Sequence, residues 1–169
     1  INKDISEVGW VAKYNELGEC QWANIAGAYI GAVTETKDEG IIVGGDFWTN
    51  STNSDLGNNI VLEGNGNLDG MIIKYSKEGA VKWAKNIGST EKESIREVLC
   101  TSDGGLVIGG YFESQEINLE NKIRLKNSKK GTSDVMVIKY NTFGECEWAQ
   151  AVGGENSENV YSITETSDN

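Results

Sequence analysis

The chain has 169 residues, a net charge of −11 and 38% hydrophobic residues, enough for a core and too few for a membrane span. Its acidity disfavours nucleic acid and anionic lipid as partners and argues against membrane insertion. The absence of histidine removes Ser-His-Asp and Cys-His catalysis and His-ligated metals, and the absence of proline leaves turns to Gly, Asn, Asp and Ser.

In chain order, the first recognisable block is Val11–Ala23, with Tyr14, Gly18 and Trp22 as its fixed points. It reads as a hairpin whose Asn15–Gly18 turn places Gly in a left-handed position. Thr36–Phe47 follows as a turn and an apolar strand interrupted by Gly44 and Gly45. Trp48 and the polar run 49–54 come next: an aromatic beside amides is the one hint of a carbohydrate-binding surface. Asn65–Gly70 has the opening spacing of a calcium loop, but position twelve is Ser76 and a strand follows, so it reads as a polar turn.

The second half repeats the first. Ile72–Ala84 and Val137–Ala149 match Val11–Ala23, with Tyr14, Tyr75 and Tyr140 separated by 61 and 65 residues. Gly18, Gly79 and Gly144 keep these intervals, as do Trp22, Trp83 and Trp148. Thr101–Phe112 matches Thr36–Phe47, with Gly109 and Gly110 in place of Gly44 and Gly45. Asn118–Leu125 matches Asp55–Leu62, and Thr166 opens a third copy.

Strands are expected at Ser94–Thr101, Leu106–Phe112, Asp134–Asn141 and Cys146–Val152, with turns at Asp103–Gly105 and Asn141–Gly144. No window sustains helical spacing. The in-strand Gly pairs imply close approach of another backbone or a large side chain, and the periodic Trp of a neighbouring sheet is the expected partner.

Four strands every 61 to 65 residues point to an all-β fold of propeller-like blades. A β-helix coil of roughly 20 to 25 residues or an immunoglobulin-like repeat of roughly 90 to 100 fits less well. The chain reads as one partial propeller over residues 1–169, with units at about 1–47, 48–112 and 113–169. It starts at Ile1 rather than Met, as an excised segment would. At roughly 63 residues per blade it holds about 2.7 blades, so closure is expected from a longer chain or from several copies forming a ring.

The pattern Lys-Tyr-x-x-x-Gly-x-x-x-Trp-Ala, followed by Thr-Ser-Asp-Gly-Gly-x-x-x-Gly-Gly-Tyr-Phe, resembles the bacterial seven-bladed β-propeller repeat family, often called SBBP repeats. The first copy departs from it, with Lys37-Asp38-Glu39-Gly40 in place of Ser-Asp-Gly-Gly. The resemblance implies a propeller of large bacterial proteins, often secreted or surface-attached, and no catalytic residues.

The function expected is a non-catalytic interaction or adhesion scaffold that presents loops to a protein or glycan. The alternatives are a self-assembling homo-oligomeric unit and a lectin. No catalytic group, cofactor or metal site is nominated. Trp22, Trp83, Trp148, Tyr14, Tyr75, Tyr140, Gly44, Gly45, Gly109 and Gly110 are expected to form the repeated core. Trp48 is one candidate ligand residue. Lys122, Arg124 and Lys126 are the others, expected on one face of a basic hairpin that an acidic partner could dock against. Three cysteines make no closed disulfide set and lean toward a reducing or anaerobic compartment, against the surface location that the resemblance implies.

Overall fold

The computed structural model describes residues 9–48 and 54–167, with only the backbone described at 54 and 55. It is all-β. A hairpin of β1 (Trp10–Tyr14) and β2 (Cys20–Ile25) precedes two four-stranded antiparallel meanders. The first sheet is β3 (Tyr29–Glu35), β4 (Ile41–Trp48), β7 (Leu68–Tyr75) and β8 (Val81–Ile87). The second is β9 (Glu93–Cys100), β10 (Leu106–Phe112), β13 (Asp134–Tyr140) and β14 (Cys146–Val152). Short ribbons interrupt both meanders at the same place: β5 (Ser54–Asp55) with β6 (Val61–Leu62), and β11 (Glu116–Asn118) with β12 (Arg124–Lys126). Leu62 and Leu125, matched in the sequence, are buried and tie these ribbons down, with Ile117 buried beside Leu125 in the second.

The four expected strands agree with β9, β10, β13 and β14 to within one residue at each end. The only helical element among the described residues is a single 3-10 turn at Glu120–Lys122. Each sheet straddles a boundary between the repeat units written from the chain start: the first crosses 47/48 and the second crosses 112/113.

Turn chemistry sets the registers. The Asn15 side-chain oxygen accepts from the N–H groups of Leu17 and Glu19, and that of Asn141 accepts from Phe143 and Glu145, all at 2.9–3.0 Å. Gly18, Gly79 and Gly144 close the three hairpins at φ of 79°, 84° and 80°, where a Cβ would be strained. A bulge follows at the same place each time, between Lys and Tyr. The β3–β4 turn has the same form as the β9–β10 turn: Glu39 N donates to Thr36 O as Gly104 N does to Thr101 O. Glu39 therefore takes the left-handed position at φ 60° that Gly104 takes at 85°.

The sheets pack face to face. Strand β7 is buried on both sides, as the apolar run Met71–Ile73 at its centre requires. On one side Ile42, Ile72 and Ile87 join Met136, Ile138 and Tyr140 of the second sheet in one core. On the other, Val43, Phe47, Met71, Ile73 and Tyr75 join Val11 and Ala26 of the β1–β2 hairpin in a second core. Each fully buried Ile or Phe contributes about 1.5–3 kcal/mol by removal from water, so these interlayer cores hold the stack together.

The Gly pairs do permit close approach, but Trp is not the partner. A Cβ on Gly44 would come within 2.6–2.7 Å of Val98 and Ile95, side chains of the next sheet's first strand. A Cβ on Gly45 would meet Tyr29 O at 2.0 Å, and one on Gly110 would meet Ser94 O at 2.2 Å. Both carbonyls belong to the first strand of the same sheet, beside a bulge in its pairing. Gly109 repeats the role of Gly44: Val160 and Ile163 stand 3.4 Å from its would-be Cβ. Residues 158–166 thus lie on the second sheet as β9 lies on the first, although no strand pairs with them.

Candidate functional site

The periodic tryptophans form the joints between successive layers. The Trp22 ring stacks on Tyr75 with centroids 5.7 Å apart and donates from Nε1 to Lys77 O at 3.0 Å. It fills the space where a Gly79 side chain would be, 2.7 Å from the would-be Cβ. Trp83 lies against the matched Gly144 in ordinary contact, 3.4 Å from its would-be Cβ. Trp22 and Trp83 are partly covered rather than deeply buried, while Tyr75 and Tyr140 are buried. Burial pushes the Tyr75 hydroxyl up to about 12 and raises that of Tyr140 as well. Tyr14 and Trp148, expected in the core by their periodicity, are instead exposed. They lie on the outer faces of the first and last described layers, 54% and 43% exposed among the described residues.

Polar groups inside the stack act in a second repeated set. Lys74 lies between the two four-stranded sheets and bonds Asp38 at 2.5 Å and the Thr36 hydroxyl. Lys139 does the same with Asp103 at 2.8 Å, and Thr101 donates to that Asp at 2.6 Å. The lysine beside it holds each carboxyl below its ordinary value, Asp38 down to about 2. Thr36, Asp38, Lys74 and Asp103 line a cleft of about 430 Å³ between the two sheets, together with Trp83 and Cys100, whereas Thr101 and Lys139 line a separate one with Trp148 and Ile163. Burial raises the Cys100 thiol above its ordinary value, so it stays protonated and weakly nucleophilic at neutral pH.

Three buried carboxyl groups serve as internal caps. Asp69 accepts from Asn65 N at 2.6 Å and from the Asn86 amide at 2.7 Å, and Asp134 accepts from Ser128 N at 2.7 Å. Gly88 and Gly153 make room for them: a Cβ there would stand 2.3 Å and 2.0 Å from the respective carboxyl carbons. Glu93 accepts from Ser89 N at 2.9 Å and Ser114 N at 3.1 Å, and Glu158 repeats the first of these bonds with Gly154 N. Burial raises the Glu93 carboxyl above its usual range. Asn65–Gly70, expected as a turn, is a bend only as far as Asn67; Leu68–Gly70 already belong to β7, and Asp69 is turned inward to backbone and amide donors.

On the inner strands, Ser94 donates to Asp46 of the preceding sheet at 2.6 Å, and burial raises that carboxyl. The Arg96 guanidinium lies 4.6 Å from the Tyr29 ring centroid and 5.3 Å from that of Tyr111. Among the described residues no group of three or more Cys, Asp or Glu side chains is placed to hold a metal ion.

The candidate ligand residues do not converge. Trp48 ends β4 half-exposed, and most of the polar run after it lies outside the described residues. Arg124 and Lys126 flank buried Leu125 and share the exposed face of β12, as period-two alternation requires. Lys122 lies in the 3-10 turn at φ 62°, outside that strand, so the expected three-residue face has two members. Arg124 pairs with Glu116 across the ribbon at 3.6 Å, an exposed pair. The Lys74, Lys139, Asp69 and Asp134 devices escape a reading of single residues. Their signal is recurrence: Asp-x-Met-x-Ile-Lys-Tyr stands at 69–75 and again at 134–140.

No family model matches the chain. A stretch of 89 residues, 53% of the chain, is 25% identical to Regulatory protein FlaEY of Caulobacter vibrioides (strain ATCC 19089 / CIP 103742 / CB 15). The match spans 9% of that protein's length.

Proposed function

We propose that the chain is a run of β-propeller blades of the SBBP type, serving as a non-catalytic scaffold that presents its connections to a protein or glycan partner. The observation that carries this reading is the recurrence of one joint. Trp22 meets Gly79 and Trp83 meets Gly144 at matched positions, so successive sheets face each other in a constant relation. Radial blades are built from such a relation.

The polar side chains in the stack support a scaffold role over a reaction centre. Asp38, Asp103, Asp69, Asp134 and Glu93 are each occupied in holding a lysine or capping a turn. The ribbons differ in composition between copies, as connections that carry recognition do. The partial likeness to a regulatory protein is compatible with an interaction module and carries no more than that.

The test is binding of the purified chain to a glycan array and to candidate proteins, beside Trp48→Ala and an Arg124→Ala/Lys126→Ala variant. Saturable binding lost in a ribbon variant of unchanged circular dichroism supports the reading. Binding that ignores the ribbons and is lost in Asp38→Ala would move the site to the cleft and contradict it.

A further inference from the structure

The repeat supplies its own control for residues that the fold does not require. At an interval of 65 residues, Ile30 and Ile95, Gly45 and Gly110, and Phe47 and Phe112 recur. Three positions among them do not: Tyr29 has Ser94 as its counterpart, Gly31 has Arg96, and Asp46 has Tyr111. The structure brings Tyr29, Arg96 and Tyr111 together. The Arg96 guanidinium carbon lies 4.6 Å from the Tyr29 ring centroid and 5.3 Å from that of Tyr111, within reach of cation–π attraction. Arg96 is also the unpaired residue of the bulge in β9, between Ile95, which pairs with Gly110, and Glu97, which pairs with Gly109. A bulge re-aims the side chain it carries. The matched bulge in β3 carries Gly31, where a Cβ would stand 2.3 Å from Ile95 O. All four strands of both sheets are described, so the cluster belongs to an interior joint and not to an end of the run.

The rings hold the guanidinium and leave its N–H edge unspent. Among the described residues no hydrogen bond or ion pair reaches it, and neither tyrosine hydroxyl has a partner. Asp46, on which the Arg96 charge acts, is 4% exposed and accepts from the Ser94 hydroxyl at 2.6 Å. Tyr29 is 47% exposed, and Arg96 and Tyr111 are partly exposed, so solvent reaches the cluster. We infer that Arg96, held by Tyr29 and Tyr111, takes a carboxylate from an acidic peptide segment of the partner through two parallel N–H···O bonds. Arg96 covers the ring faces that a sugar would stack on, which favours a peptide over a glycan here. Tyr111 stands one residue from the end of β10, where the chain enters the connection that holds the β11–β12 ribbon. That connection, residues 113–133, has five Lys or Arg against three Glu in a chain of net charge −11, so this end of the sheet offers an acidic segment further cations. The inference rests on the scaffold reading and adds the chemistry of its partner.

The experiment is calorimetric titration of the chain with an acetylated, amidated peptide of alternating Glu and Gly, beside its Gln counterpart and an oligogalacturonate. Circular dichroism checks the folding of Arg96→Gln, Arg96→Lys and Arg124→Ala/Lys126→Ala. The Glu peptide should bind and the Gln peptide should not. Arg96→Gln should weaken binding at least about tenfold, the scale of hydrogen bonds to a charged group. Arg96→Lys should recover only part of the loss, since an ammonium lacks the planar fork. No binding of the Glu peptide, equal binding of both peptides, or binding of the oligogalacturonate in their place would each overturn the inference. Glu-peptide binding that survives Arg96→Gln but not the ribbon variant overturns it and leaves the scaffold reading standing. Binding lost in Arg96→Gln and kept in the ribbon variant supports it and counts against the ribbons as the site.

Discussion

Gly88 has no side chain because the carboxyl of Asp69 fills that space: a Cβ there would stand 2.3 Å from the Asp69 carboxyl carbon. Gly153 and Asp134 repeat the relation at 2.0 Å. The Asp in each pair caps the backbone that leads into its strand. The strand-end Gly and the buried Asp therefore form one device, and neither can change alone.

Gly88→Ala and Gly153→Ala should each destabilise the chain by about 1–3 kcal/mol, the range for forcing atoms into a filled interior. Urea denaturation measures this directly. A Gly18→Ala control should separate the two sources of strain: its position is open, so it bears only the cost of a left-handed backbone.

Glu39→Gly should stabilise the chain by about 0.5–1 kcal/mol. Glu39 holds φ 60° in a turn whose other copy uses Gly104. Relief of the left-handed penalty outweighs the added freedom of glycine in the unfolded chain. Its ion pair with Lys77, at 3.6 Å and exposed on both sides, contributes little. A higher urea midpoint with unchanged slope is the expected reading.

Stability should peak in mildly acidic solution. Asp38 and Asp103 have lowered folded values. The stability they contribute is present above their ordinary value of 3.8 and is lost as pH falls, for Asp38 toward about 2. Asp46 and Glu93 have raised folded values, so their contribution is complete in acid and is lost as pH rises through those values. Denaturation midpoints across pH should show both limbs. Asp38→Asn should flatten the acid limb, and Asp46→Asn the limb toward neutrality.

Strands and turns were legible in the sequence because their determinants are local. Asn141 to Gly144 dictates a hairpin without reference to the rest of the chain, and Leu106–Phe112 is apolar on both faces wherever it lies. What Gly44 and Gly109 face was not legible, since periodicity fixes that residues are equivalent but not which layer they touch. The spacing predicts a periodic Trp over the in-strand glycines, whereas Trp22 reaches 55 residues onward to the hairpin carrying Lys77. The same limit explains Trp148 and Tyr14. Their spacing matches that of covered residues, and only the stacking order reveals that they sit on the outer faces of the described layers. Lys122 fell outside its strand because Asn121 and Lys122 both take positive φ, which breaks the alternation assumed across the ribbon.

The three equivalent tryptophans offer the sharpest test of the layered account. Urea denaturation of Trp22→Ala, Trp83→Ala and Trp148→Ala compares two joints with one outer face. The account predicts losses of about 2–4 kcal/mol for the first two, toward the scale of truncating an aromatic in a packed site, and under about 1 kcal/mol for Trp148. Equal losses at all three positions, or negligible losses at Trp22 and Trp83, would contradict it.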